Sequence, residues 1–143
     1  MALHLVKLCV GATSIDDLEA WVARRVAFNK RRGLGPVHDH VTRMTPRRRD
    51  ELLDGGSLYW VIKGVVSVRQ KLLGLETAAG EDGVRRCAIL LDPPLIRTQA
   101  QPKAAFQGWR YLTAADAPPD VAAGDGGDAP ERLKAELAAL GLL

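Results

Sequence analysis

The chain has 143 residues, 47% apolar and 26% charged, with a net charge of +3. That length gives one domain able to bury roughly 68–70% of its unfolded surface, so folding requires neither disulfides nor a structural metal. The composition excludes collagen-like and wholly disordered chains, and so mild a net charge does not by itself define a nucleic-acid binder.

Residues 3–10 read as a strand, nearly apolar on both faces and therefore central or covered. Lys7 interrupts the run and Gly11 ends it. With no basic leader and no small-residue cleavage site, it does not read as a signal peptide. Ser14 is placed to cap a helix, with Asp16 and Asp17 in the first turn, where the macrodipole favours acids. Ile15, Leu18, Trp21, Val22 and Val26 then form an apolar stripe at helical spacing through about residue 28. The helix stops in the polar, Gly/Pro-punctuated stretch 30–36.

Val37 to Met44 forms a short strand. Thr45-Pro46 offers a cap and a proline at the first helical position, opening a short helix that ends at Gly55-Gly56. Residues 57–63 are rich in β-formers, Gly64 is a break, and Val65–Leu75 is a long strand antiparallel to the last. Glu81-Asp82-Gly83 marks a turn, Cys87–Leu91 a buried strand ended by Asp92-Pro93-Pro94, and Phe106–Leu112 a further strand. The stretch 114–130, rich in Ala, Asp, Gly and Pro, reads as a flexible linker. Pro130, Leu133, Leu137 and Leu140 then predict a terminal helix over 131–143, with Gly141 capping it on the same domain. The expected architecture is a single α+β domain over 1–113, a strongly bent sheet or small pseudo-barrel of five to six strands with flanking helices.

Cys9 and Cys87 sit in strand-like runs and read as reduced, buried thiols. No run approaches the roughly 18 apolar residues of a membrane span, so a cytoplasmic protein with no membrane partner is expected. Charge is segregated. Nine basic residues between Arg24 and Arg49 face Asp39 alone, a net +8 that leaves −5 for the remainder of the chain. Arg47, Arg48 and Arg49, in the first turn of the predicted short helix, oppose the macrodipole but suit a phosphate. Arg43, Lys63 and Arg69 complete the candidate anion-binding set. Tyr59, Trp109 and Tyr111 are candidate base-stacking rings, since aromatic platforms beside a basic groove hold single-stranded nucleic acid.

His38-Asp39-His40 places two imidazoles on one side of a strand. Spacing supplies no third ligand, so no metal and no cofactor is assigned. Hydrolase, Walker-type and G-x-G-x-x-G signatures are absent, and an enzyme is not favoured.

The blocks LHLVKLCVG, HVTRMTPRRRDELLDGGSLYWVIKG, RQKLLGLE, RCAILLDPPLIRT and FQGWRYL, with the ELAALGLL end, resemble a family of uncharacterised alphaproteobacterial proteins, a domain of unknown function. The order helix, Gly-Gly, strand, strand also resembles the PUA and ASCH superfamily, which implies a small pseudo-barrel associated with RNA and modified nucleosides. Gly55-Gly56-Ser57-Leu58-Tyr59-Trp60 lacks the lysine and acid of the ASCH pattern, so no catalytic residue carries over. The expectation is a PUA-like domain binding RNA or a nucleotide-containing ligand. The alternatives are a hydrolase of modified nucleosides using Lys63, Arg69, Glu51 or Asp54, and a protein-interaction module whose basic face meets an acidic partner or the acidic tail.

Overall fold

The computed structural model describes residues 2–121. β1 (Leu3–Leu8) pairs parallel with β3 (Ser57–Ile62) and antiparallel with β7 (Trp109–Thr113). Such a position needs apolar residues on both faces, which explains the almost unbroken run. α1 (Ile15–Arg31) covers one face. Its Leu18 and Val22 are buried, while Ile15, Trp21 and Val26 pack beside them. Ser14 caps α1 as expected, its Oγ accepting from the Asp17 N–H at 3.0 Å, while the Asp17 carboxylate accepts from Thr13 N–H and Oγ–H.

β2 (His38–Thr42) is an edge strand, and α2 (Arg49–Leu53), which follows it in the chain, packs against β4 and β1. Lys63 and Gly64 both have positive φ in the two-residue turn from β3 into β4 (Val65–Ala79), the geometry that follows strand twist in a tight hairpin. β4 has 15 residues and serves two neighbourhoods. Its first half pairs β3 on one side and β6 (Ile96–Pro102) on the other, while its second half pairs β5 (Arg85–Leu91). A register shift between Leu72 and Gly74 marks the change of partner and leaves Leu73 exposed. The strand order is β2-β5-β4-β3-β1-β7, with β6 beside β4.

The larger core gathers Leu5, Leu18, Leu52, Leu58, Trp60, Val68, Cys87, Ile89 and Leu91 beneath the two helices. A smaller one on the opposite face holds Val6, Tyr59, Val61, Val66 and Leu112.

Four expectations are corrected. The described sheet has seven strands, β6 having escaped notice because Arg97, Gln99, Gln101 and Pro102 carry no apolar alternation. Among the described residues the sheet is open rather than a closed pseudo-barrel, with β2 and β7 as its ends. The segment after β2 carries Pro46, which lacks the N–H needed to extend a ladder. α2 begins at Arg49 with Arg48 at its N-cap position and no side-chain cap, so Thr45-Pro46 does not open it. Residues 114–121 belong to the folded unit rather than to a linker. Gln99 N–H donates to Pro119 O, Val121 N–H to Arg97 O, and Thr98 bridges Asp120. The linker expected over 122–130 and the helix over 131–143 lie outside the described residues.

Candidate functional site

The two open ends of the sheet approach each other through side chains. Trp109 of β7 donates its indole N–H to Met44 O at 2.8 Å, and Thr42 Oγ–H of β2 donates to the same carbonyl. Tyr111, one turn of the pleat further along β7, accepts from the backbone N–H groups of Arg47 and Arg48 at 3.0 and 3.2 Å. Trp109 and Tyr111 meet edge to face at 4.9 Å, and the Arg48 guanidinium lies over the Tyr111 ring. The Met44–Arg48 segment is thus laid along β7, making a seam where the sheet fails to close.

Of the candidate anion-binding residues, Arg43, Arg47 and Arg48 stand in or beside this segment, next to Trp109 and Tyr111. Arg43 and Arg47 are exposed, and among the described residues their side chains have no ion-pair partner. Arg48 pairs with Glu51, and Arg49 Nε–H donates to Leu75 O. The phosphate cradle expected at the helix start is therefore altered. The two backbone donors preceding α2 already serve the Tyr111 hydroxyl.

The remaining candidates are elsewhere. Lys63 is exposed at the β3–β4 turn. Arg69 makes a two-point ion pair with Asp120 and also donates to Ser57 Oγ, on the face of the sheet away from the helices. Tyr59 is buried on that same face with its ring against His4. Lys63, Arg69, Glu51 and Asp54, the residues of the hydrolase alternative, are not assembled. Glu51 is held by Arg48, and Asp54 is exposed at the end of α2. The basic segment is also less bare than its sequence implies. Asp39 is clamped by Arg25 at 2.6 and 2.9 Å, by Arg32 at 3.0 Å and by Asn29 at 2.8 Å, pinning α1 to β2. These partners hold its carboxyl far below the usual range.

Inside the seam lies a group that sequence reasoning did not assemble. β1 register places Lys7 between Trp60 of β3 and Trp109 of β7, and directly opposed residues share a face. His40 of β2 meets the Trp60 ring at 5.1 Å, and Trp21 of α1 stands 6.3 Å from His40. All three tryptophans of the chain thus border one region. Trp60 is fully buried, whereas Lys7, Trp21, His40 and Trp109 are half-buried. His40 Nε2 is buried with no hydrogen-bond partner. Burial, then the Lys7 charge, then His38, lower His40 to about 4, and burial lowers Lys7. The available signal was Lys7 itself, which alternation puts on the core face with Leu3, Leu5 and Cys9.

His38 is committed differently. Gln70, fully buried, accepts from His38 Nδ1–H and from Trp60 Nε1–H at 2.8 Å, and donates to the carbonyls of Asp92 and Pro93. Among the described residues, no three His, Cys, Asp or Glu side chains are grouped to hold a metal ion.

The family described as "Protein of unknown function (DUF1489)" matches residues 5–143. The chain belongs to that family. Its membership spans β1 to the end of the sequence, and so includes both sides of the seam. No curated protein and no solved structure matches the chain significantly. Among the described residues, no helix is long and apolar enough to cross a membrane.

Proposed function

We propose that this protein is an RNA-binding module, engaging single-stranded RNA along the outer rim of the seam. The observation that carries the reading is the Met44–Arg48 segment laid across Trp109 and Tyr111, which sets exposed cations beside aromatic rings. Arg43 and Arg47 contact phosphate, and Trp109 with Tyr111 offers a surface for a base. The order α2, Gly55-Gly56, β3, β4 supports a PUA-like kinship. Two free, buried thiols are consistent with a reducing, cytoplasmic setting.

Fluorescence anisotropy with a single-stranded RNA oligonucleotide at stepped salt tests this. Affinity should fall steeply with salt, and Arg43→Ala/Arg47→Ala should lower the log–log slope by about 1.4, two single-strand phosphate contacts. A double variant with wild-type affinity and slope removes the reading. Because Arg48 is held by Glu51, Arg48→Ala should matter less than Arg47→Ala.

A further inference from the structure

We propose that Lys7 and His40 form a binding site inside the seam for an oxyanion carried on a flat ring, with Trp21 and Trp109 as its walls. The inference concerns the interior rather than the arginine rim, and does not rest on RNA binding there.

Three observations converge. Lys7 is a half-buried cation with no ion pair or hydrogen bond among the described residues, although it stands on a face otherwise made of Leu3, Leu5 and Cys9. Interiors retain such a charge only at a cost in stability, unless it is paired. His40 faces the same space and presents Nε2, buried without a partner, where buried polar atoms are ordinarily satisfied. The neighbouring carboxylate, Asp39, points to the other side of β2 and is saturated by Arg25, Arg32 and Asn29. No acid of the described chain is therefore in place to answer Lys7. An incoming oxyanion satisfies both groups at once: it pairs with the ammonium and accepts from the Nε2–H tautomer of His40. The indoles of Trp21 and Trp109, half-exposed beside His40 and Lys7, supply flat apolar walls for a ring attached to that anion.

Phosphate and carboxylate share this chemistry, and the experiment separates them. Tryptophan fluorescence is followed while AMP, benzoate or inorganic phosphate is added, since all three tryptophans border the region. Saturable binding of AMP identifies a phosphate site and saturable binding of benzoate a carboxylate site. Inorganic phosphate, lacking the ring, should bind more weakly than whichever is preferred. Lys7→Met should weaken that binding about tenfold or more, whereas Arg47→Ala at the rim should leave it unchanged. Failure of RNA binding at the rim leaves these results unaffected.

The unliganded Lys7→Met variant should also melt higher than wild type, because an uncompensated charge has been removed. On wild-type protein, the imidazole ¹⁵N resonances of His40 should move on titration while those of His4, on the opposite face, stay in place. That measurement keeps the test open if the variant does not fold. Absence of saturation with all three compounds at millimolar concentration, unchanged affinity in Lys7→Met, or movement of His4 without His40 overturns the proposal.

Discussion

All three histidines of the chain are held toward the neutral form, each by a different arrangement. His4 Nδ1 accepts from Ser57 N–H at 3.0 Å, and burial together with Arg69 lowers its pKa. Burial lowers His38 as well, against an opposing hydrogen bond to Gln70. His40 sits near 4, faced by Lys7 from β1 and by His38 and Asp39 from its own strand. The unfolded rings titrate at 6.5. Above that pH neither state takes up protons at these groups. As pH falls below 6.5 the unfolded chain binds protons that the folded chain refuses, so stability is lost progressively down to the folded values. His40 alone accounts for about 3 kcal/mol by pH 4. Urea unfolding should therefore show a lower midpoint at pH 4.5 than at pH 7.5, and His40→Phe should flatten the difference. Gln70 supplies a second prediction at this scale. Gln70→Leu strands the Trp60 and His38 N–H donors and two carbonyls, and should cost about 3 kcal/mol in chemical denaturation.

The elements differ in how openly the sequence announces them, and the physical reason is locality. α1 is legible because Ser14, its acidic first turn and its apolar stripe all lie within one window. β6 is not, because an edge strand held through its backbone requires no apolar periodicity. α2 misled in a different way. Thr45-Pro46 has the residues of a helix start, but Thr45 Oγ lies 3.3 Å from Thr77 Oγ and the segment is bound to β7, so the helix begins three residues after Pro46. Gly56, after α2, meets a stricter demand. A Cβ there would overlap the backbone oxygens of Leu52 and Leu3, so Gly56→Ala should cost at least about 3 kcal/mol, visible as a depressed melting temperature. The segment over the seam makes a further prediction. The stretch from Arg43 to Arg49 carries four arginines, all trypsin sites, and is anchored by Trp109 and Tyr111. Tyr111→Phe removes the acceptor for two N–H groups. It should accelerate cleavage between Arg43 and Arg49, with a stability loss of about 1 kcal/mol. An unchanged cleavage rate would show that the hydroxyl does not anchor the segment.

For the molecule as a whole, the sequence-level asymmetry of charge is real but partly internal. Asp39 absorbs Arg25 and Arg32, Glu51 absorbs Arg48, and Asp120 meets Arg69 on the far face. A count of charges includes Asp39 and Glu51, but only the fold shows that Asp39 holds two arginines at once and that Arg69 meets Asp120 across the chain. The seam was equally hidden. Its residues stand at positions 7, 21, 40, 60 and 109, and only the folding of an open sheet around them makes them neighbours. Asp39→Ala, which releases both arginines and Asn29, should loosen α1 from β2 at about 2–3 kcal/mol. Amide exchange should then rise in both elements before it rises in β3.

β1 precedes every other described strand in the chain and is one of the last to be completed. Its parallel partner begins at Ser57 and its antiparallel partner at Trp109, so a nascent chain carries a sticky, two-sided strand until both have been made. At about 5–20 residues per second that interval lasts several seconds. Newly made chains stalled before Trp109 therefore have an unshielded β1 edge. The hydrophobicity that suits this strand to the middle of the sheet makes its infancy hazardous.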